Sequence, residues 1–129
     1  MHVKQFLSAA GAVTFLYGIG LVILPDTLAE AHGATSLNNF TLLIMRMLGG
    51  ALIGAGVMFW MAMPARLSYG RRAILAFSLI FDASVVILNL LEIGTNGNAH
   101  LMHWIDIGIA LLFAIGAGYF LTKEKDLKF

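Results

Sequence analysis

The chain contains no cysteine. It therefore forms no disulfide, offers no thiolate to a metal and carries no thiol redox chemistry. It has two prolines, Pro25 and Pro64, and each follows an apolar run rather than interrupting one. Charge is scarce too. Asp, Glu, Lys and Arg make up 12% of the residues, against about 25% in an ordinary soluble domain. A net charge of +1 says nothing about nucleic acid, and no nucleic-acid partner is expected. What remains is apolar: 60% of 129 residues are hydrophobic. A chain this short folded in water has too little interior to hide that much apolar surface. The composition predicts an integral membrane protein with a single domain over residues 1–129.

Four apolar runs stand out, at about 5–24, 40–63, 72–93 and 101–121. Each is close to the ~20 residues with which a helix crosses ~30 Å of hydrocarbon. The first two stop at Pro25 and Pro64 and the third at Gly94, residues that end helices. Strands of this length would leave backbone groups unpaired in lipid, so helices are expected. The predicted fold class is all-α, a four-helix membrane bundle. Lys4 precedes the first run and Ala29-Glu30-Ala31 has the form of a cleavage site. The run is nevertheless longer than the ~7–15 residues of a signal-peptide core, and it reads as a retained span.

A second absence sets the orientation. Residues 25–39 and 94–100 contain no Lys or Arg. Lys4, Arg66, Arg71, Arg72, Lys123, Lys125 and Lys128 all fall on the opposite side of a four-span chain. The positive-inside rule then places both termini in the cytoplasm, and the inner (cytoplasmic) membrane is the expected location. The eighth basic residue, Arg46, lies inside the second run.

Few polar side chains interrupt the runs, and most lie toward the outer face. Tyr17, Arg46, Asn89, Glu92 and Asp106 fall in the outer half, and Asp82 lies nearer the midplane. At about 100° per residue, Ser78, Asp82, Val85, Asn89 and Glu92 share one helix face. His100, His103, Asp106, Ala110 and Ala117 share another, and Arg46, Gly50, Ile53, Val57 and Trp60 a third. Charged groups in membranes face the bundle interior or a water-filled cavity. The expectation is an intramembrane pocket open to the non-cytoplasmic side, lined by Tyr17, Arg46, Trp60, Asp82, Asn89, Glu92, His103 and Asp106. Arg46 brings one positive charge and Asp82, Glu92 and Asp106 three negative ones. Low dielectric disfavours the excess of two, so a proton, a bound cation or a charged His103 is expected to offset part of it, unless Glu92 reaches the interface and escapes the count.

The stretch HLMHWID, residues 100–106, concentrates this chemistry. His100, His103 and Asp106, with Glu92 nearby, are zinc or non-haem iron ligand types. Their three-residue spacing drifts about 120° around a helix, so the metal reading is the weaker one and no cofactor is predicted. His100 reads as an exposed interfacial residue and His103 as an interior histidine with a hydrogen-bond partner. The partners expected for this stretch are Arg46, Asn89 and Glu92. Plainer roles are open throughout. Arg46 with Asp106 or Asp82 can be a purely architectural ion pair. Asn89 can join two helices by a hydrogen bond. Trp60 and Trp104 can be interfacial anchors.

Small residues bear on packing. The second run holds Gly49, Gly50, Gly54 and Gly56, with the GxxxG pair at Gly50 and Gly54, and the fourth holds Gly108, Gly116 and Gly118. They predict close helix contacts and are compatible with a homodimer or a larger membrane complex. The outer segment PDTLAEAHG predicts a short helix, capped by Asp26 and ended by Gly33, able to act as a lid.

The second span, FTLLIMRMLGGALIGAGVMFW, resembles the Arg-x-x-Gly-Gly…Gly helix of the small bacterial four-helix membrane proteins of the DoxX-like and related families. The layout is similar as well, with a Pro-terminated first helix, an outer loop, an Arg-bearing second helix and a Trp near the start of the last. The resemblance implies the fold and the membrane class, since these families share no single activity. In size the chain is also similar to small multidrug-resistance exporters. Residues 5–24 contain no carboxylate, so the first-helix glutamate of those exporters has no counterpart.

Three functions remain. Binding or transport of a small or amphipathic, lipid-like molecule is preferred, because a pocket is the best-supported feature. The first alternative is a membrane-embedded enzyme with Asp82, Asp106 or His103 as acid or base. The second is a structural or assembly subunit whose charges only set helix register.

Overall fold

Three of the long helices start where a side chain relieves unpaired N–H groups. The Gln5 side-chain carbonyl accepts from the His2 N–H at 2.9 Å, and α1 runs Val3–Ile23. Asn38 Oδ1 accepts from the Thr41 N–H at 2.8 Å and its hydroxyl at 3.0 Å, opening α3, Asn39–Ala62. The Ser68 hydroxyl accepts from the Arg71 N–H at 3.2 Å and opens α4, Tyr69–Asn96. These are N-capping arrangements, each satisfying donors that the helix cannot. Between α1 and α3 lies α2, Pro25–Ala31, and α5 spans Leu101–Lys123. The computed structural model describes residues 2–65, 68–97 and 99–123. Among them are five helices and no strand, and α1, α3, α4 and α5 are each long and apolar enough to cross a membrane.

Three expectations about helix ends need correcting. The third span does not stop at Gly94. It continues to Asn96, and Gly97, at φ 65°, is the left-handed residue that closes it, its N–H reaching the Ile93 carbonyl. Gly94 keeps helical backbone, because one interior glycine weakens a helix without ending it. The same span begins at Tyr69 rather than Arg72, since Ser68 supplies the cap. In α2, Asp26 does not cap the start. Pro25 occupies the first position, where its missing N–H is no loss, and Asp26 only adds a negative charge to the first turn. Gly33, at φ 88°, does end the segment.

The chain forms two compact units, Met1–Met61 and Ala62–Phe129. In the first, α1 and α3 meet through glycines. A Cβ added to Gly18 would lie 2.7 Å from the Gly49 carbonyl oxygen, and one on Gly49 would lie 2.7 Å from that of Gly18. Gly11 and Gly56 repeat the contact: a Cβ on Gly11 would lie 3.0 Å from the Gly56 oxygen. The pairing of Gly11 with Gly56 and Gly18 with Gly49 makes the two helices antiparallel. Each pair is separated by seven residues, about two turns or ~10 Å, so one face of each helix supplies both contacts. The GxxxG residues Gly50 and Gly54 are not this interface: a Cβ on either meets nothing within 4 Å. Trp60 lies against Gly11, its ring 5.1 Å from that of Phe15 and its indole N–H donating to the Ser8 carbonyl at 3.3 Å. Its position near a span end therefore includes a packing role beyond interfacial anchoring.

In the second unit α4 and α5 pack as an antiparallel hairpin. Leu79 lies by Gly118 near one end and Asn89 by His103 near the other. Leu75 and Ser78 of α4 are buried, as are His103, Ile107, Ala110, Ala114 and Ala117 of α5, which recur every three or four residues.

Arg71 shows a role that its place in the charge count concealed. A basic residue in the first turn of a helix opposes the macrodipole. Arg71 is nevertheless only 7% exposed, and its Nη1 donates to the Ala65 carbonyl at 2.7 Å, tying the incoming chain to α4. Replacing Arg71 with Ala is expected to lower stability by about 1.5 kcal/mol, the worth of a charge-assisted hydrogen bond. Arg72→Ala is expected to stay within about 0.5 kcal/mol. Unfolding of both variants in mixed detergent micelles would measure the difference.

Candidate functional site

Two polar pairs that involve a buried side chain lie on the α4–α5 hairpin. The first joins the helices. His103, one turn into α5 and 6% exposed, is hydrogen-bonded through Nδ1 to Asn89 Oδ1 at 2.7 Å. The Asn89 amide nitrogen donates to the Val85 carbonyl at 2.9 Å, which fixes the orientation of the amide. Asn89 Oδ1 is therefore an acceptor, and His103 Nδ1 carries the proton it accepts. The histidine thus has a set direction.

The second pair lies deeper along α4. Ser78, 2% exposed, donates its hydroxyl to Asp82 Oδ2 at 2.8 Å. The spacing of four residues brings both side chains to one helix face. Asp82 is half-buried.

The other candidates divide. Asp106, one turn beyond His103 on α5, is half-buried. Glu92 is exposed, its Oε1 accepting from Asn96 Nδ2 at 2.6 Å, an arrangement along the surface of α4. His100 is exposed, its ring 6.3 Å from that of His103. Tyr17, Arg46 and Trp60 belong to the first unit. There Arg46 is exposed on α3, Tyr17 is 36% exposed, and Trp60 packs on Gly11 and Phe15 as described. Among the described residues, no three of His, Asp and Glu gather into a metal-ligating group. The His103–Asn89 partnership is one of the three the sequence offers, and Ser78 shares a predicted face with Asp82.

Chemically, the hairpin offers hydrogen-bonding groups at two depths. Asp82 and Asn89 are seven residues apart, about 10 Å along α4. Asp82 therefore makes no direct hydrogen bond to His103. Each pair has one buried member, His103 or Ser78, among apolar side chains of the hairpin. Comparison with known proteins finds no matching family model, no matching curated protein and no matching solved structure.

Proposed function

We propose that this chain is a multi-pass protein of the bacterial inner membrane that binds or transports a small or amphipathic molecule entering from the non-cytoplasmic side. The observation that carries the reading is the buried hydrogen bond between His103 and Asn89, which joins α4 to α5. The Ser78–Asp82 pair extends the polar track inward.

Membrane residence is supported by the outward faces. Leu16, Ile23, Phe40, Met47, Met61, Ile80, Leu88, Leu101, Leu112 and Ile115 are all more than 60% exposed, a surface suited to lipid and not to water. Orientation is supported by the helix ends. Lys4 lies in the first turn of α1, Arg71 and Arg72 in that of α4, and Lys123 ends α5. Arg66, Lys125 and Lys128 lie outside the described residues. The segments at the opposite ends, 24–38 and 97–100, carry no Lys or Arg. In this orientation both termini are cytoplasmic, and His103 lies near the outer face with Asp82 deeper in the span.

Protein purified in lipid nanodiscs should retain a small non-lipid molecule, detectable by mass spectrometry after extraction. Asp82→Asn and His103→Leu should each reduce it at least about tenfold, the equivalent of one lost hydrogen bond to a charged or strongly polar group. Equal amounts in wild type and both variants, with helix content unchanged, would reduce the two pairs to helix-registering contacts.

A further inference from the structure

The depth of Asp82 follows from the length of α4, whatever the position of the helix in the bilayer. The helix has 28 residues, from Tyr69 to Asn96, and is about 42 Å long. Asp82 follows thirteen of them and precedes fourteen, which puts it about 20 Å from either end. Against ~30 Å of hydrocarbon, α4 has ~12 Å to spare. Even if all of the excess projects from one face, Asp82 remains at least about 7 Å inside the hydrocarbon. Tilt only removes the excess and moves it closer to the midplane.

Its partner is suited to both forms of a carboxyl. The Ser78 hydroxyl donates to Asp82 Oδ2 at 2.8 Å, which serves a carboxylate. A hydroxyl also accepts. When the carboxyl takes up a proton, its O–H can donate to Ser78 Oγ. The serine hydrogen then turns to the carbonyl of Ile74 one turn back, the usual alternative for a serine within a helix. A Lys or Arg in the place of Ser78 would hold Asp82 ionised, and an alanine would serve neither form.

Within the second unit, the other titratable groups stand away from this level. On α4 the nearest are Arg71 and Arg72 at one end and Glu92 near the other. On α5, which packs against α4, the residues level with Asp82 lie near Phe113 and Ala114, between the Leu79–Gly118 and Asn89–His103 contacts. The α5 groups are Asp106 and His103 toward the His100 end, and Tyr119 and Lys123 toward the other. In the first unit, the titratable side chains within the spans are Lys4 and Tyr17 of α1 and Arg46 of α3.

We propose that Asp82 is a reversible proton-binding site inside the membrane, its carboxyl passing between acid and carboxylate with Ser78 as its hydrogen-bond partner in both forms. A mid-membrane group that gains and loses one proton is what a proton-coupled binding protein or transporter requires. The inference uses the hairpin of the proposed binding site and does not depend on the ligand. Loss of the co-purifying molecule and loss of titration are separate results.

The test uses the full-length protein in phosphatidylcholine nanodiscs, treated with dicyclohexylcarbodiimide from about pH 5 to about pH 9. This apolar reagent takes the proton of a carboxylic acid onto nitrogen, and the carboxylate oxygen then bonds to its central carbon. The O-acylisourea so formed rearranges to a stable N-acylurea. The expected result is an adduct mapped to Asp82 by peptide mass, its rate falling at least about tenfold over that range as the acid form is lost. A rate that does not change with pH would mean a permanently protonated carboxyl and overturn the proposal. Infrared difference spectra supply the second measurement. A carboxylic acid C=O band should appear on acidification in the wild type, shift in Asp82→Glu and be missing in Asp82→Asn. The Glu variant keeps the test valid if the Asn variant does not fold. No such band in the wild type, or the same band in all three proteins, also overturns the proposal.

Discussion

Replacing Gly18 with alanine is expected to destabilise the protein by about 2–3 kcal/mol, the upper range for forcing an atom into a packed contact. The added Cβ would lie 2.7 Å from the Gly49 carbonyl oxygen and 2.8 Å from the Ile53 nitrogen. Both are backbone atoms of a helix, so no rotamer change relieves the clash and α1 must move away from α3. That movement would also weaken the Gly11–Gly56 contact on the same face and the packing of Trp60 on Gly11. Gly49→Ala should behave alike, since its Cβ would meet the Gly18 oxygen and the side chains of Leu21 and Val22 within 2.9 Å. Gly50→Ala and Gly54→Ala are the contrast, with open space at both positions. They should be neutral within about 0.5 kcal/mol or slightly stabilising, because alanine is the better helix former. Unfolding against the mole fraction of SDS in mixed micelles would read all four, with Trp60 as an intrinsic fluorescent reporter. Equal losses at Gly18 and Gly50 would overturn the assignment of the interface.

His103→Leu is expected to cost about 2 kcal/mol, because it strands Asn89 Oδ1 between apolar helices. Asn89→Leu should cost a similar amount by removing the acceptor for the Nδ1 proton. The decisive quantity is the coupling, since both substitutions also alter packing. The double variant should lose less than the sum of the two by about 1–1.5 kcal/mol, toward the upper end for hydrogen bonds between membrane helices. The same unfolding assay closes the cycle. Additivity within about 0.3 kcal/mol would show that the 2.7 Å contact contributes nothing to holding α4 against α5. His100→Leu serves as a control, because the residue is exposed and its loss should be nearly neutral.

These residues also show which features are legible in a sequence. Pro25 marks the end of α1 because a residue without an N–H, whose ring clashes with the preceding turn, cannot continue a helix. Gly33 marks the end of α2 for the same local kind of reason. Gly94 misleads because the identity of a glycine does not reveal its φ. The left-handed residue is Gly97, three positions on. Asp26 misleads because Pro25 starts the helix one residue earlier. Ser78 and Asp82 are legible as a pair, since a spacing of four on one helix brings side chains together without help from any other element.

The sequence by itself determined that the chain carries four long apolar helices, where each roughly begins and ends, and which few polar groups interrupt them. Those properties depend on local composition and on the fixed rise of a helix. The tertiary structure decided that Gly49 and Gly56, and not the GxxxG pair Gly50 and Gly54, meet α1. It also decided that His103 takes Asn89 rather than Glu92, which turns instead to Asn96. A rotation of about 100° separates Gly49 from Gly50 on their helix. Nothing in the order of residues states how far each helix turns about its axis or slides along its neighbour, and those two quantities choose the contact.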